Sequence, residues 1–162
     1  MPELMPYERL VPCLLDRLTD EEPTTRVEGR DRRVISPRRY LDSVRSDLRN
    51  LLNTGAHALG EPIYDYPEVI SSVINYGIPD LCGMTASGIE TGEMEHALRR
   101  AILAFEPRLI PETLEVRVYA QSDEMSSNAL AFEIAGELWA QPAPEAFYVK
   151  TEVDLETGQW MV

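Results

Sequence analysis

At Pro107 the spacing of apolar residues along the chain changes. Upstream, Met94, Ala97, Leu98, Ala101, Ile102 and Phe105 recur at steps of three and four, the single stripe of an amphipathic helix. Downstream, Leu114-Glu115-Val116-Arg117-Val118-Tyr119 and Leu130-Ala131-Phe132-Glu133-Ile134-Ala135 alternate with a period of two, as half-buried strands do. Proline enforces the switch, because it has no N–H to donate and its ring clashes with the preceding helical turn. It also stiffens the corner Phe105-Glu106-Pro107-Arg108-Leu109, where Glu106 and Arg108 stand one residue apart with opposite charges. Such a two-pronged polar anchor suits either another chain or the protein's own elements, and the spacing leaves both open.

The other elements follow from local signals. A short helix is expected after Pro12, with Leu14, Leu15 and Leu18 on one side, and Thr19 to Arg33 reads as a mobile linker. Ser36-Pro37 supplies a cap and a first-turn proline. Tyr40, Leu41, Val44, Leu48, Leu51 and Leu52 then form one stripe of a helix ending near Asn53-Thr54-Gly55. Pro67 opens a second, shorter helix containing Val69, Ile70, Val73 and Ile74, with Gly77 placed as its cap. Ser87-Gly88-Ile89-Glu90 has the spacing of a capping box before the Met94 stripe. A third strand fits Phe147 to Val153, and the tail from Thr157 to Val162 turns back as a short edge strand. The expected class is α+β, N-terminal helices followed by a small antiparallel meander. The chain divides into a segment 1–35, with a short helix and a basic linker, and a domain 36–162.

Composition limits function. The chain of 162 residues is long enough for one domain, and it has no run of roughly 18 apolar residues to span a membrane. Its start, Met1-Pro2-Glu3-Leu4-Met5-Pro6-Tyr7-Glu8, is unlike a signal peptide. Cys13 and Cys82 are two buried thiols on this reading, which points to the cytosol. A net charge of −13 argues against a nucleic-acid partner. The charge is uneven: residues 26–49 carry a net +4 and residues 110–162 a net −8, a separation that suits assembly with other proteins.

No catalytic constellation emerges. His57 and His96 belong to no triad or metal-ligand spacing, and Gly88-Ile89-Glu90-Thr91-Gly92 lacks the lysine and spacing of a phosphate loop. The 28 acids could supply the two carboxylates of a glycosidase but single out no pair. The sequence therefore assigns no catalytic, cofactor-binding or metal-binding residue.

Several stretches occur together in one order: Leu14-Leu15-Asp16-Arg17-Leu18, Ser43 to Thr54, Ser71 to Leu81, Ala101-Ile102-Leu103-Ala104-Phe105-Glu106-Pro107-Arg108-Leu109, and Phe132 to Leu138. On these, from about Leu14 to Val162, the chain closely resembles the TssE family of type VI secretion baseplate subunits, related to the "lysozyme-like" wedge proteins of contractile phage tails. The resemblance implies a cytoplasmic structural protein with an interlocking β-domain like that of the sheath subunits. Glu106, Pro107 and Arg108 would hold it to the wedge bundle of TssF and TssG, with TssK beside them. The C-terminal meander would template the first ring of TssB and TssC sheath by strand addition. The expected addition edge is Val149, Thr151, Val153 and Trp160. Arg108→Ala is expected to break attachment and spare the fold, Phe105→Ala to cost roughly 3–5 kcal/mol, and proline at Val149 to stop sheath growth. Two other readings are a peptidoglycan-cleaving muramidase and an adaptor that binds one soluble partner.

Overall fold

The computed structural model describes residues 10, 12–19, 24, 35–57, 62–85, 88–120, 129–140 and 143–161. The linker from Thr19 to Arg33 and the connection from Gln121 to Ser127 lie almost wholly outside them, as does Ser87 of the expected capping box. Among the described residues, four α-helices and four strands follow in order, with short 3-10 turns at Pro62–Asp65 and Val73–Asn75 on either side of the third helix. They are α1 (Leu14–Leu18), α2 (Pro37–Leu52), α3 (Pro67–Ile70), α4 (Thr91–Phe105), β1 (Glu115–Ala120), β2 (Ala129–Leu138), β3 (Glu145–Asp154) and β4 (Trp160–Met161). The strands form one antiparallel sheet in the order β1-β2-β3-β4, so the chain is α+β with helices before a meander.

Helix α2 starts where its sequence says it should. The Ser36 hydroxyl accepts from the Arg39 N–H, Pro37 fills the first turn, and Asn53 closes the far end. Its stripe of Tyr40, Val44, Leu48, Leu51 and Leu52 is buried. Met94, Leu98, Ala101 and Ile102 of α4 are buried beside it. Both helices cover one face of the sheet, where Val116, Val118, Leu130, Phe132, Ile134, Leu138, Phe147, Val149 and Val153 point inward. The opposite face, with Arg117, Tyr119, Tyr148 and Lys150, is open to solvent, as antiparallel sheets allow. Phe105 ends the α4 stripe only partly buried, its ring edge-on to Tyr76 at 5.1 Å, so its removal costs less than a full core deletion.

The helix expected from Pro67 through Ile74 breaks after Ile70. Ser72 and Asn75 compete for its hydrogen bonds. The Ser72 hydroxyl donates to the Val69 carbonyl and accepts from the Ile74 N–H, while the Asn75 amide donates to the Ile70 carbonyl. Val73 and Ile74 therefore stand exposed, at 83% and 68%, instead of joining the core. Gly77 is likewise no helix cap. With φ of +130°, it lets Ile78 form a single parallel bridge to Gly55, and an added Cβ would sit 2.3 Å from the Thr54 carbonyl oxygen. Gly77→Ala is expected to destabilise the protein by about 2–3 kcal/mol, read as a lower thermal midpoint, because main chain and not a side-chain tip blocks the space. An unchanged midpoint would mean that the loops from Thr54 and Gly77 separate without cost. Helix α4 also starts later than the capping box predicts, at Thr91, and its cap residue Glu90 makes no side-chain cap hydrogen bond.

Candidate functional site: the Glu-Pro-Arg corner and the sheet edges

The corner is a junction of four elements. Helix α4 ends with the Glu106 N–H donating to the Ile102 carbonyl, and Pro107 prevents a further turn. Just beyond it, Leu109 bridges Leu138 at the end of β2, the Ile110 N–H donates to Glu137, and the Trp139 N–H donates to the Arg108 carbonyl at 2.7 Å. Glu106 is only 2% exposed. Its carboxylate lies at a helix C-terminus, where the peptide dipoles disfavour negative charge. Burial and position both make it dependent on a cation.

Arg108 supplies that cation and turns inward to do so. Its Nε donates to Glu106 Oε1 at 2.6 Å and its Nη2 to Glu106 Oε2, a two-pronged pairing. Nη2 also donates to Asp47 and Nη1 to the Ser43 hydroxyl at 3.1 Å, both on α2. The Ser43 hydroxyl in turn donates to Asp16 of α1 at 2.6 Å. The guanidinium lies 5.9 Å from the centre of the Tyr40 ring, and the Tyr40 hydroxyl donates to the Trp139 carbonyl at 2.8 Å. Burial of Arg108 works against its charge, but Glu106 and then Asp47 outweigh it and raise its pKa above the ordinary arginine value. Partial burial pushes the Asp16 carboxyl up, yet the Ser43 hydroxyl, Cys13 and the Arg108 charge together hold it below its ordinary value. Of the three corner residues, Pro107 is the exposed one. Asp47, Ser43 and Asp16 were not legible as corner partners, although positions 43 and 47 lie one turn apart on the polar face of α2.

The sheet edges are treated unequally. On β1 the outward Val118 N–H donates to the Glu95 carboxylate of α4, so a side chain occupies the place of a neighbouring strand. On β4, Asn53 clamps Trp160 from both sides: Trp160 N–H donates to its carbonyl oxygen, and its amide donates to the Trp160 carbonyl. Trp160 itself is buried against Phe132, with ring centres 4.4 Å apart. The outer side of β3 differs. Beyond the pairs Glu152–Met161 and Val153–Trp160 and the Asp154 N–H donated to Gln159, no strand borders it among the described residues. Antiparallel pairing alternates by residue, so Ala146, Tyr148 and Lys150 aim their main-chain groups away from β2, on the side where Asp154 meets Gln159.

This alternation relocates the expected edge. Val149, Thr151 and Val153 are buried, with main-chain groups directed at β2, and Trp160 is held by Asn53. Proline at Val149 would therefore damage the β2–β3 ladder. The residues whose N–H groups face outward are their even-numbered neighbours.

Among the described residues, no group of three or more His, Cys, Asp and Glu could hold a metal ion. Nor is any helix long and apolar enough to cross a membrane. Among the described residues, then, the corner combines buried charge with a rigid main chain, and the outer side of β3 has a stretch with no strand beside it. Residues 38–143, from α2 through the corner to just past β2, match the model of the family described as baseplate wedge protein gp25. The chain belongs to that family. Neither a curated protein nor a solved structure gives a match. Membership in the baseplate wedge family makes this a structural component of a phage-tail-like baseplate, which assembles with other baseplate proteins. The match contains Glu106, Pro107 and Arg108, while β3 and β4 lie beyond it.

Proposed function

We propose that this chain is a cytoplasmic, non-catalytic baseplate subunit of a type VI secretion machine, from which the contractile sheath starts to grow. The corner of Glu106, Pro107 and Arg108 attaches it to the wedge proteins TssF and TssG, with TssK alongside. The outer edge of β3 receives the first strand contributed by the sheath subunits TssB and TssC.

The observation that carries this reading is the contrast between edges. An unpaired strand edge is a liability that proteins usually cover. Here Glu95 covers Val118 and Asn53 covers Trp160, while among the described residues the neighbouring stretch of β3 has no strand beside it. A strand added there would take its affinity from main-chain hydrogen bonds and its register from alternate side chains. The chain's single lysine, Lys150, stands exposed on that stretch. Its charge discourages pairing with like copies and leaves the edge usable by a chosen partner.

Tyr148→Pro tests the reading. Proline at an outward position removes one donor from the edge and leaves the β2 ladder intact. The variant should fold and be recovered with the wedge, while fluorescent sheath subunits in cells fail to form sheaths. Normal sheaths grown from wedge-bound Tyr148→Pro would contradict the template role and favour a simple adaptor.

A further inference from the structure

We infer that Trp139 is a partner-binding residue of the same corner, and that it receives a basic segment of a wedge protein against its ring. The inference rests on the corner being the attachment site. Trp139 is 59% exposed, whereas the chain's other tryptophan, Trp160, is buried. Leaving so large an apolar surface in water forgoes stabilisation that burial would supply. The main chain beneath it is fixed on both sides: its N–H donates to Arg108, and its carbonyl accepts from the Tyr40 hydroxyl. A ring with two torsions on an immobile backbone loses little freedom when a partner covers it.

Its position connects it to the corner. The Leu109–Leu138 bridge and the Trp139-to-Arg108 hydrogen bond set Trp139 directly opposite Arg108. Side chains opposite one another on antiparallel strands start about 4.5–5.5 Å apart and share a face. The exposed ring is therefore carried by main chain bonded directly to the corner, one residue from the exposed Pro107. Charge selects the occupant. The hydrogen bonds join three carboxylates, those of Asp16, Asp47 and Glu106, directly or through Ser43 to the guanidinium of Arg108, an excess of acid over base among these four residues. An aromatic face next to that field attracts a cation. An arginine or lysine whose aliphatic stem covers the indole fits both features.

The test uses the full chain and the purified TssF–TssG wedge complex of the same organism. Trp139→Ala should weaken binding by ~30-fold or more, with an unchanged melting temperature, and Trp139→Phe should weaken it much less. In the wild-type complex one tryptophan should become protected from acrylamide quenching, and affinity should fall as salt is added. Wild-type affinity of Trp139→Ala, with the ring as quenchable bound as free, would overturn the inference and leave attachment at the corner standing. Protection without salt dependence would overturn the basic partner. Failure of the wild-type chain to bind the wedge complex would overturn the attachment reading, and the inference with it.

Discussion

Arg108→Ala should lower the stability of the isolated chain by about 3–5 kcal/mol, the range found when one partner of a buried ion pair is removed. The mechanism is the loss of compensation for Glu106. Without the guanidinium, a carboxylate that is 2% exposed sits at the C-terminal end of α4 with, among the described residues, the Arg108 main-chain N–H at 3.1 Å as its remaining donor. Asp47 and Ser43 lose their common donor as well, which leaves the Tyr40-to-Trp139 hydrogen bond to tie α2 to the corner. Arg108→Lys should recover only part of the loss, since an ammonium cannot reproduce the two-pronged contact. Denaturant melts of the three proteins measure the differences. An alanine variant as stable as the parent would mean that the network contributes nothing to the fold. The expectation from sequence, that this substitution removes attachment and spares the fold, is revised because Arg108 directs its donors inward. Lost binding in Arg108→Ala would thus report a weakened fold as much as a lost contact. Trp139, whose side chain is exposed, separates the two effects.

Phe132→Ala is the other large effect, also about 3–5 kcal/mol. Phe132 is fully buried in β2, and its ring lies 4.4 Å from that of Trp160. Removing it opens a cavity beneath the sheet and frees Trp160 to shift, which loosens β4 and the Asn53 clamp together. Domains typically have only ~5–15 kcal/mol to lose, so the variant should melt far earlier than the parent. The measurement is the unfolding midpoint, with near-ultraviolet dichroism reporting the tryptophan environment. A small shift would mean that neighbouring side chains close the cavity.

The residues whose roles were readable from sequence are those whose partners are local or periodic. Ser36 and Pro37 started α2, its stripe found the core, and alternation located β1, β2 and β3, because each signal lies within a few residues of what it controls. Competition between side chain and main chain was harder to see. Val73 and Ile74 fit a helical stripe, yet Ser72 and Asn75 take the hydrogen bonds that would have continued it. Long-range pairing was invisible. Asp47 and Ser43 lie 61 and 65 residues from Arg108, and Glu95 lies 23 from Val118. Val149, Thr151 and Val153 of the expected edge are core-facing residues paired with β2 for a related reason. Apolar alternation marks which side chains face the core, whereas strand addition uses the main-chain groups of the residues between them. Trp139 did leave a signal, since it extends the outward positions of β2 by one step past Leu138.

Amide hydrogen exchange on the baseplate, before and after sheath subunits are added, reads strand addition at β3 residue by residue. Tyr148 and Lys150 face the open side of β3 and should exchange quickly until the first ring forms, then become strongly protected. Val118, already bonded to Glu95, should not change. Unchanged exchange at Tyr148 and Lys150 in a baseplate carrying a complete first ring would contradict the account.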